Sequence, residues 1–219
     1  MVAYNDGHNP FQTLAFLSLS YPMLLHSILS VATGHLYNCG RSSASILSSR
    51  QSRALHSLQA ALSLLMDSKA PNEARMSPPS RPAPTAPGLL EDGWGIFSTL
   101  NAREVALATI MMQMSSTFAT GMGSVEVHLK CAYHFLMDLD YVDRPPHSMF
   151  ARLFVHRFAL GDIVLAFLRF RRPIAPPHFY MYRTDTDVEQ LQPSFYEIHG
   201  CSPRVLCFLA EISVLSADL

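Results

Sequence analysis

The sequence predicts an all-α fold of about eight helices, packed as stacked antiparallel hairpins around one buried helix at 150–170. Apolar residues recur at three- and four-residue steps in several segments, and Asn, Ser and Pro residues mark where those segments begin. No segment shows the sustained period-two alternation of a strand. Because 49% of the residues are hydrophobic and 15% are charged, the chain can build one sizeable core, and we interpret 1–219 as a single domain.

The segment 150–170, FARLFVHRFALGDIVLAFLRF, is apolar on every side at helical period, which is typical of a helix buried in a core or in lipid. One stripe comprises Phe150, Leu153, Phe154, Phe158, Val164, Leu165 and Leu168, and the opposite stripe comprises Val155, Ala159, Ile163, Ala166, Phe167 and Phe170. The charged residues Arg152, Arg157, Asp162 and Arg169 argue against lipid, because charges at membrane depth are costly. We therefore expect a dry central helix in a soluble domain.

Three helices are predicted before residue 70. Asn9 is an N-cap with Pro10 in the first turn, and Ser20 with Pro22 repeats that arrangement. In the second helix we expect the apolar side to face the core (Leu24, Leu25, Ile28, Leu29, Ala32 and Leu36), with Ser27, Ser30, Thr33 and Gly34 opposite. A third helix runs from about Ile46 to Ser68, and the proline-rich stretch after it predicts a disordered loop at about 70–90.

Helix signals resume at Asn101, which with Glu104 predicts a capping box for a helix ending near Phe118. Its methionines are typical of gap-filling core, and a ligand pocket is the alternative interpretation (Met111, Met112 and Met114). Another helix is expected over about 124–139, and Ser194 with Glu197 predicts a short one. Ser202 and Pro203 open the last helix, with the predicted core positions Val205, Leu206, Leu209, Ile212 and Leu215.

The sequence contains no catalytic, nucleotide-binding or metal-binding motif, so we predict no enzyme activity, no cofactor and no metal. The four cysteines have neither zinc nor disulfide spacing. A site assembled only by the fold would include His156 and Asp162. We favour instead a buried structural network involving Arg157 and Asp162, because an unpaired buried charge is very costly.

Two long segments without charged residues, Gly7 to Gly40 and Val105 to Val125, leave a membrane protein as an alternative. Both have a polar side at helical period, which favours a globular core, so we predict no membrane association. The first residues lack a basic region and include Asp6, so we expect no signal peptide. The net charge of −1 and the lack of a basic, aromatic stripe argue against nucleic-acid binding.

Five segments together resemble the regulatory region of fungal binuclear zinc-cluster transcription factors, the fungal-specific transcription factor domain. Asn9-Pro10-Phe11 with Leu14 is similar to that family's N-P-x-R-x-L start, and the following segment 20–36 is similar to its D-P-x-L-L-H helix, with His26 at the histidine. His128-Leu129-Lys130-Cys131-Ala132 resembles its H-L-x-G-A helix. Arg157, Phe158 and Asp162 match R-F-x-x-x-D. Gly200-Cys201-Ser202 followed by 206–215, which includes Glu211, resembles that family's G-C-S-x-x-L-x-x-L-A-E-I helix, with one more residue after the serine. Gln12 and Cys131 depart from the family pattern, which has Arg and Gly there.

The resemblance implies a nuclear transcription regulator that acts through protein partners or a small effector, with a homodimer as one arrangement. It implies no sequence-specific DNA binding by this chain alone, because the sequence lacks the six-cysteine cluster in which relatives hold zinc. The chain would then be a fragment or shortened product of such a factor. The alternative is a stand-alone helical interaction protein that modulates such factors.

Overall fold

A computed structural model of the protein describes residues 10–67, 100–121, 123–144, 148–181 and 203–217. These residues form helices joined by turns, without a strand. In chain order the helices are α1 (Pro10–Ser18), α2 (Pro22–Asn38), α3 (Ala44–Asp67), α4 (Ala102–Thr120), α5 (Val125–Asp138), α6 (Met149–Leu168), α7 (Pro177–Met181) and α8 (Pro203–Ala217). The all-α prediction is confirmed, and the stacked-hairpin arrangement stays a prediction.

Several predicted features fall outside the described residues. They are the N-cap Asn9, the proline-rich loop at about 70–90, the short helix at Ser194 and the Gly200-Cys201-Ser202 motif. Pro10, the partner of Asn9 in the predicted cap, is the first residue of α1.

Helix α4 begins at the capping box that the sequence predicts. The Asn101 Oδ1 atom accepts a hydrogen bond from the Glu104 backbone N–H at 2.9 Å, and the Asn101 N–H donates to Glu104 Oε2 at 2.9 Å. The Tyr141 hydroxyl donates to the other Glu104 oxygen at 2.7 Å, which ties the start of α4 to the turn after α5. The helix ends at Gly121, whose φ of 66° suits a residue without a Cβ.

The centre of the core is shared by α4 and α6. Every residue from 104 to 111 of α4 is buried, and α6 is buried or half-buried from Phe150 to Ala166. The prediction for the end of α6 is wrong: Phe167, Leu168 and Phe170 are 41%, 63% and 73% exposed. Helix α6 ends at Leu168, and the chain turns at Phe170, whose φ is 50°. The side chains of Phe167, Leu168 and Phe170 are therefore not covered by any of the described helices.

Helix α2 is rotated relative to the prediction, so that only part of its predicted apolar side, including Leu24 and Ile28, faces the core. Leu24 is buried as expected, but so are Ser27, Ser30 and Gly34, whereas Leu29 and Leu36 are exposed. The reason is that the neighbouring helix α4 presents polar side chains. The Gln113 amide donates to Ser27 Oγ at 2.7 Å, and the Ser30 and Ser116 hydroxyls are 3.2 Å apart. Small residues also bring the helices close, since a Cβ added at Gly34 would lie 2.9 Å from Thr120 Cγ2.

Helix α8 is also rotated relative to the prediction. Leu206 is buried as predicted and Leu209 is half-buried, but Ala210 and Ser213 complete the buried face. The predicted core positions Val205, Ile212 and Leu215 are exposed. Together with the 64% exposed Phe208 they form what we call the α8 stripe, at steps of three, four and three residues (Val205, Phe208, Ile212 and Leu215). The apolar spacing in the sequence therefore identifies α8 as a helix, but it does not show which of its faces packs against the core.

Candidate functional site

The candidate site is a cavity of about 650 Å³ on one side of the core. Its walls come from α5, from the connection between α6 and α7, from α7 itself and from α8. The described residues that line it are Tyr133, the segment 172–177, Tyr180, Cys207, Ala210, Glu211, Val214 and Leu215. This volume lies within the roughly 300–1,000 Å³ of small-molecule sites.

The wall at 174–175 is attached to the core through Asp162. This carboxylate is fully buried on α6 and accepts hydrogen bonds from the Ile174 N–H at 2.8 Å and the Ala175 N–H at 3.0 Å, both to Oδ2. Its Oδ1 atom also accepts from the Ile174 N–H, at 3.0 Å. The Tyr180 hydroxyl donates to Oδ2 at 2.6 Å. A single side chain therefore holds both the connection and α7 against α6.

Aromatic rings form the layer between this anchor and the cavity. The fully buried ring of Phe158 stacks on Tyr133 at a centroid distance of 5.9 Å. On its other side it meets Phe179 edge to face at 5.6 Å, and Phe179 meets Tyr180 in the same way at 5.3 Å. Two of these rings, Tyr133 and Tyr180, also line the cavity. Phe158 thus joins α5 and α7 beneath the cavity.

The polar side chains that line the cavity are neutral inside and charged only at the rim, and the buried charge of Asp162 lies behind the lining. Desolvation by burial, then the negative charge of Asp162, raises the pKa of Tyr180. Burial also raises the pKa of Tyr133, with the nearby carboxylates of Asp143 and Asp162 adding to it. The pKa of Cys207 is raised mainly by desolvation, so its thiol stays protonated near neutral pH. Arg172 and Glu211, the charged lining residues, are both exposed.

Comparison with known proteins assigns the chain to a family. Residues 2–219 match the family described as the fungal specific transcription factor domain. The chain belongs to this family. No curated protein and no solved structure matches it. Membership in the fungal transcription factor domain family points to a role in transcription regulation, as the sequence resemblance predicts.

The residues that match the family motifs take distinct places in the fold. Phe158 and Asp162 support the cavity from α6, and Glu211 lies at its rim on α8. His26 on α2 and His128 on α5 are half-buried and lie outside the cavity lining. Burial lowers the pKa of His128. The residues that match the family motifs are therefore divided between the surroundings of the cavity and other parts of the helical fold.

Arg157 and Asp162 do not form the buried network that the sequence suggests. The Arg157 guanidinium donates from Nη2 to Ser115 Oγ of α4 at 2.7 Å and lies over the Phe11 ring of α1, 5.7 Å from its centroid. Because residues five apart on a helix project about 140° from each other, the two side chains leave α6 in different directions. Within the described part of the chain, Asp162 accepts four hydrogen bonds, from Ile174, Ala175 and Tyr180, and none of them comes from His156.

The sequence did not reveal Tyr180 or the Ile174–Ala175 wall as parts of the site. Their only signal is an acidic residue in an apolar helix followed by a proline-rich connection. The predicted methionines lie elsewhere: Met111 and Met114 are buried in the core, and Met114 packs within 3.1 Å of where a Gly161 Cβ would be. None of the described cavity-lining residues is a methionine.

Two further findings concern the described part of the chain. Its helices are all too short or too polar to cross a bilayer. Its His, Cys, Asp and Glu residues form no group of three or more that could hold a metal ion.

Proposed function

We propose that this chain is the regulatory, non-DNA-contacting domain of a fungal zinc-cluster-type transcription factor, as a fragment or shortened product, and that a small effector controls it. The supporting observation is the cavity of about 650 Å³, whose wall is held by the buried Asp162. A cavity of this size between three elements gives a bound molecule a means to change how α8 and the 172–177 connection pack. DNA contact and zinc binding belong to a separate module in this proposal. The site of action is the nucleus.

The experiment that tests this function uses the whole chain fused to a heterologous DNA-binding module in a fungal reporter strain. We expect reporter output to change when Val214, which lines the cavity, is replaced by Trp. The matched control is Val127→Trp, at an exposed valine of α5 that belongs neither to the cavity lining nor to the α8 stripe, and it should leave output unchanged. Equal output from all three fusions would contradict the regulatory role. Sequence-specific, zinc-dependent gel shifts by the unfused chain would contradict the absence of DNA contact.

The second candidate is a helical interaction protein, and the α8 stripe is the observation that favours it. Four apolar residues at alternating three- and four-residue steps are typical of a helix that pairs with another helix. In this function the chain forms a homodimer through the stripe, or competes for dimerisation of full-length factors. Light scattering after size-exclusion chromatography tests it. A dimer that Phe208→Ser converts to a monomer supports it, and a monomeric wild type at high concentration contradicts the homodimer.

A further inference from the structure

The cavity has an apolar lining with little capacity to hold a charge. Its walls include Ile174, Ala175, Ala210 and Val214, and the proline rings of the connection. The two charged lining residues, Arg172 and Glu211, have opposite signs and are exposed to water at the rim. An ion transferred into such a space loses its hydration without gaining a buried partner, which is costly. An uncharged molecule does not incur this penalty.

One polar group in the lining remains available to a ligand. The hydroxyl of Tyr133 has no hydrogen-bond partner among the described residues, although its ring is stacked on Phe158 and held in place. The other cavity-lining phenol, Tyr180, already donates its proton to Asp162. Because the pKa of Tyr133 is raised, its hydroxyl keeps its proton at neutral pH and is a hydrogen-bond donor.

We infer that the cavity binds one uncharged, largely apolar small molecule carrying a carbonyl or similar acceptor for the Tyr133 hydroxyl. The inference deepens the proposed effector response and rests on it for its biological meaning. Its test is binding in solution. Binding without a reporter response would therefore refute the regulatory role and leave the ligand class standing, whereas a reporter response without this binding would refute the ligand class.

The probe is Nile red, an uncharged dye with a ring carbonyl whose fluorescence rises in apolar surroundings. We expect saturable binding of one dye per wild-type chain. Val214→Trp should weaken binding at least about tenfold because the indole occupies part of the cavity, and Val205→Trp should leave it unchanged. Tyr133→Phe should weaken it by roughly two- to tenfold, the value of one hydrogen bond. Circular dichroism checks that each variant is folded.

A second dye tests the charge selectivity. Anilinonaphthalene sulfonate is similarly apolar but anionic, and we expect it to bind at least about tenfold more weakly than Nile red, because its charge would be desolvated. Equal or tighter binding of the anion, lost on Val214→Trp, would overturn the inference that the ligand is uncharged. Equal loss of Nile red in both tryptophan variants would place the dye on the α8 stripe and overturn the site.

Cysteine alkylation locates the dye without a mutation in the cavity. Cys207 lines the cavity, whereas Cys39 is exposed at the end of α2 and does not belong to the lining. Saturating Nile red should slow the reaction of iodoacetamide with Cys207 several-fold and leave the rate at Cys39 unchanged, as measured by peptide mass spectrometry. An unchanged rate at Cys207 with dye bound would refute binding in this cavity.

Discussion

Replacing Asp162 by Ala tests whether one buried carboxylate holds the cavity wall to the core. The substitution leaves three donors without their acceptor, the N–H of the half-buried Ile174, the N–H of the buried Ala175 and the hydroxyl of the buried Tyr180. Each such donor costs about 1–3 kcal/mol, and the removal of a buried charge offsets part of the sum. We therefore expect the free energy of unfolding to fall by about 3–5 kcal/mol, a large share of the roughly 5–15 kcal/mol of a typical domain.

Urea denaturation followed by circular dichroism measures this loss. Asp162→Asn keeps the shape and one acceptor oxygen, so it should cost about 1–3 kcal/mol. The matched control is Asp138→Ala, at an exposed position on the last turn of α5, which should change stability by less than about 0.5 kcal/mol. Hydrogen exchange adds a local measurement, since the amides of Ile174 and Ala175 should lose protection first. If Asp162→Ala costs no more than the control, the reasoning is refuted.

Three further predictions concern the helices around the site. Asn101→Ala removes the capping hydrogen bond of α4 and should lower the free energy of unfolding by about 1 kcal/mol. The control is Ser124→Ala, at the N-cap of α5 where the side chain makes no capping bond, and it should cost less. Equal losses in urea titrations of the two variants would contradict this. Gln113→Leu leaves the buried Ser27 hydroxyl without its donor at 2.7 Å and should lower the free energy of unfolding by about 1–3 kcal/mol. Adding Ser27→Ala to this variant removes the unpaired hydroxyl, and urea titration should show that part of the lost stability returns. Burial lowers the pKa of His128 below its usual 6.5, so the unfolded chain takes up a proton first as the pH falls, and stability should drop from about pH 6.5 downward. The urea midpoint of His128→Gln should fall less than that of the wild type over this range, and parallel profiles would exclude the effect.

The helices themselves could be predicted because their signals are local. The capping box at Asn101 and Glu104 and the proline at the start of α2 act within one turn of chain, and the structure has both. Apolar spacing also located α6 and most of its buried residues. These features need no knowledge of the neighbouring helices.

The orientation of the helices could not be predicted, because it depends on which surface each one meets. The serines of α2 are buried since Gln113 and Ser116 of α4 offer them hydrogen bonds, and these partners lie more than 80 residues away in the chain. A rule that places apolar residues inside assigns such a face to solvent. The same rule fails on α8, where Ala210 and Ser213 are buried and Phe208 is exposed. The cavity was missed for this reason too, since its walls come from three separate segments.

The spacing of the matched family motif on α6 explains how one turn of helix serves both the core and the cavity. Phe158 and Asp162 are four residues apart and therefore lie on the same face, and both meet α7, through Phe179 and Tyr180. Arg157 projects about 100° away from Phe158 and reaches α1 and α4 instead. Moving the acidic residue by one position would turn it away from Tyr180 and leave the connection unanchored. The motif is thus explained by a geometric requirement at the base of the cavity, without assigning any of its residues a chemical reaction.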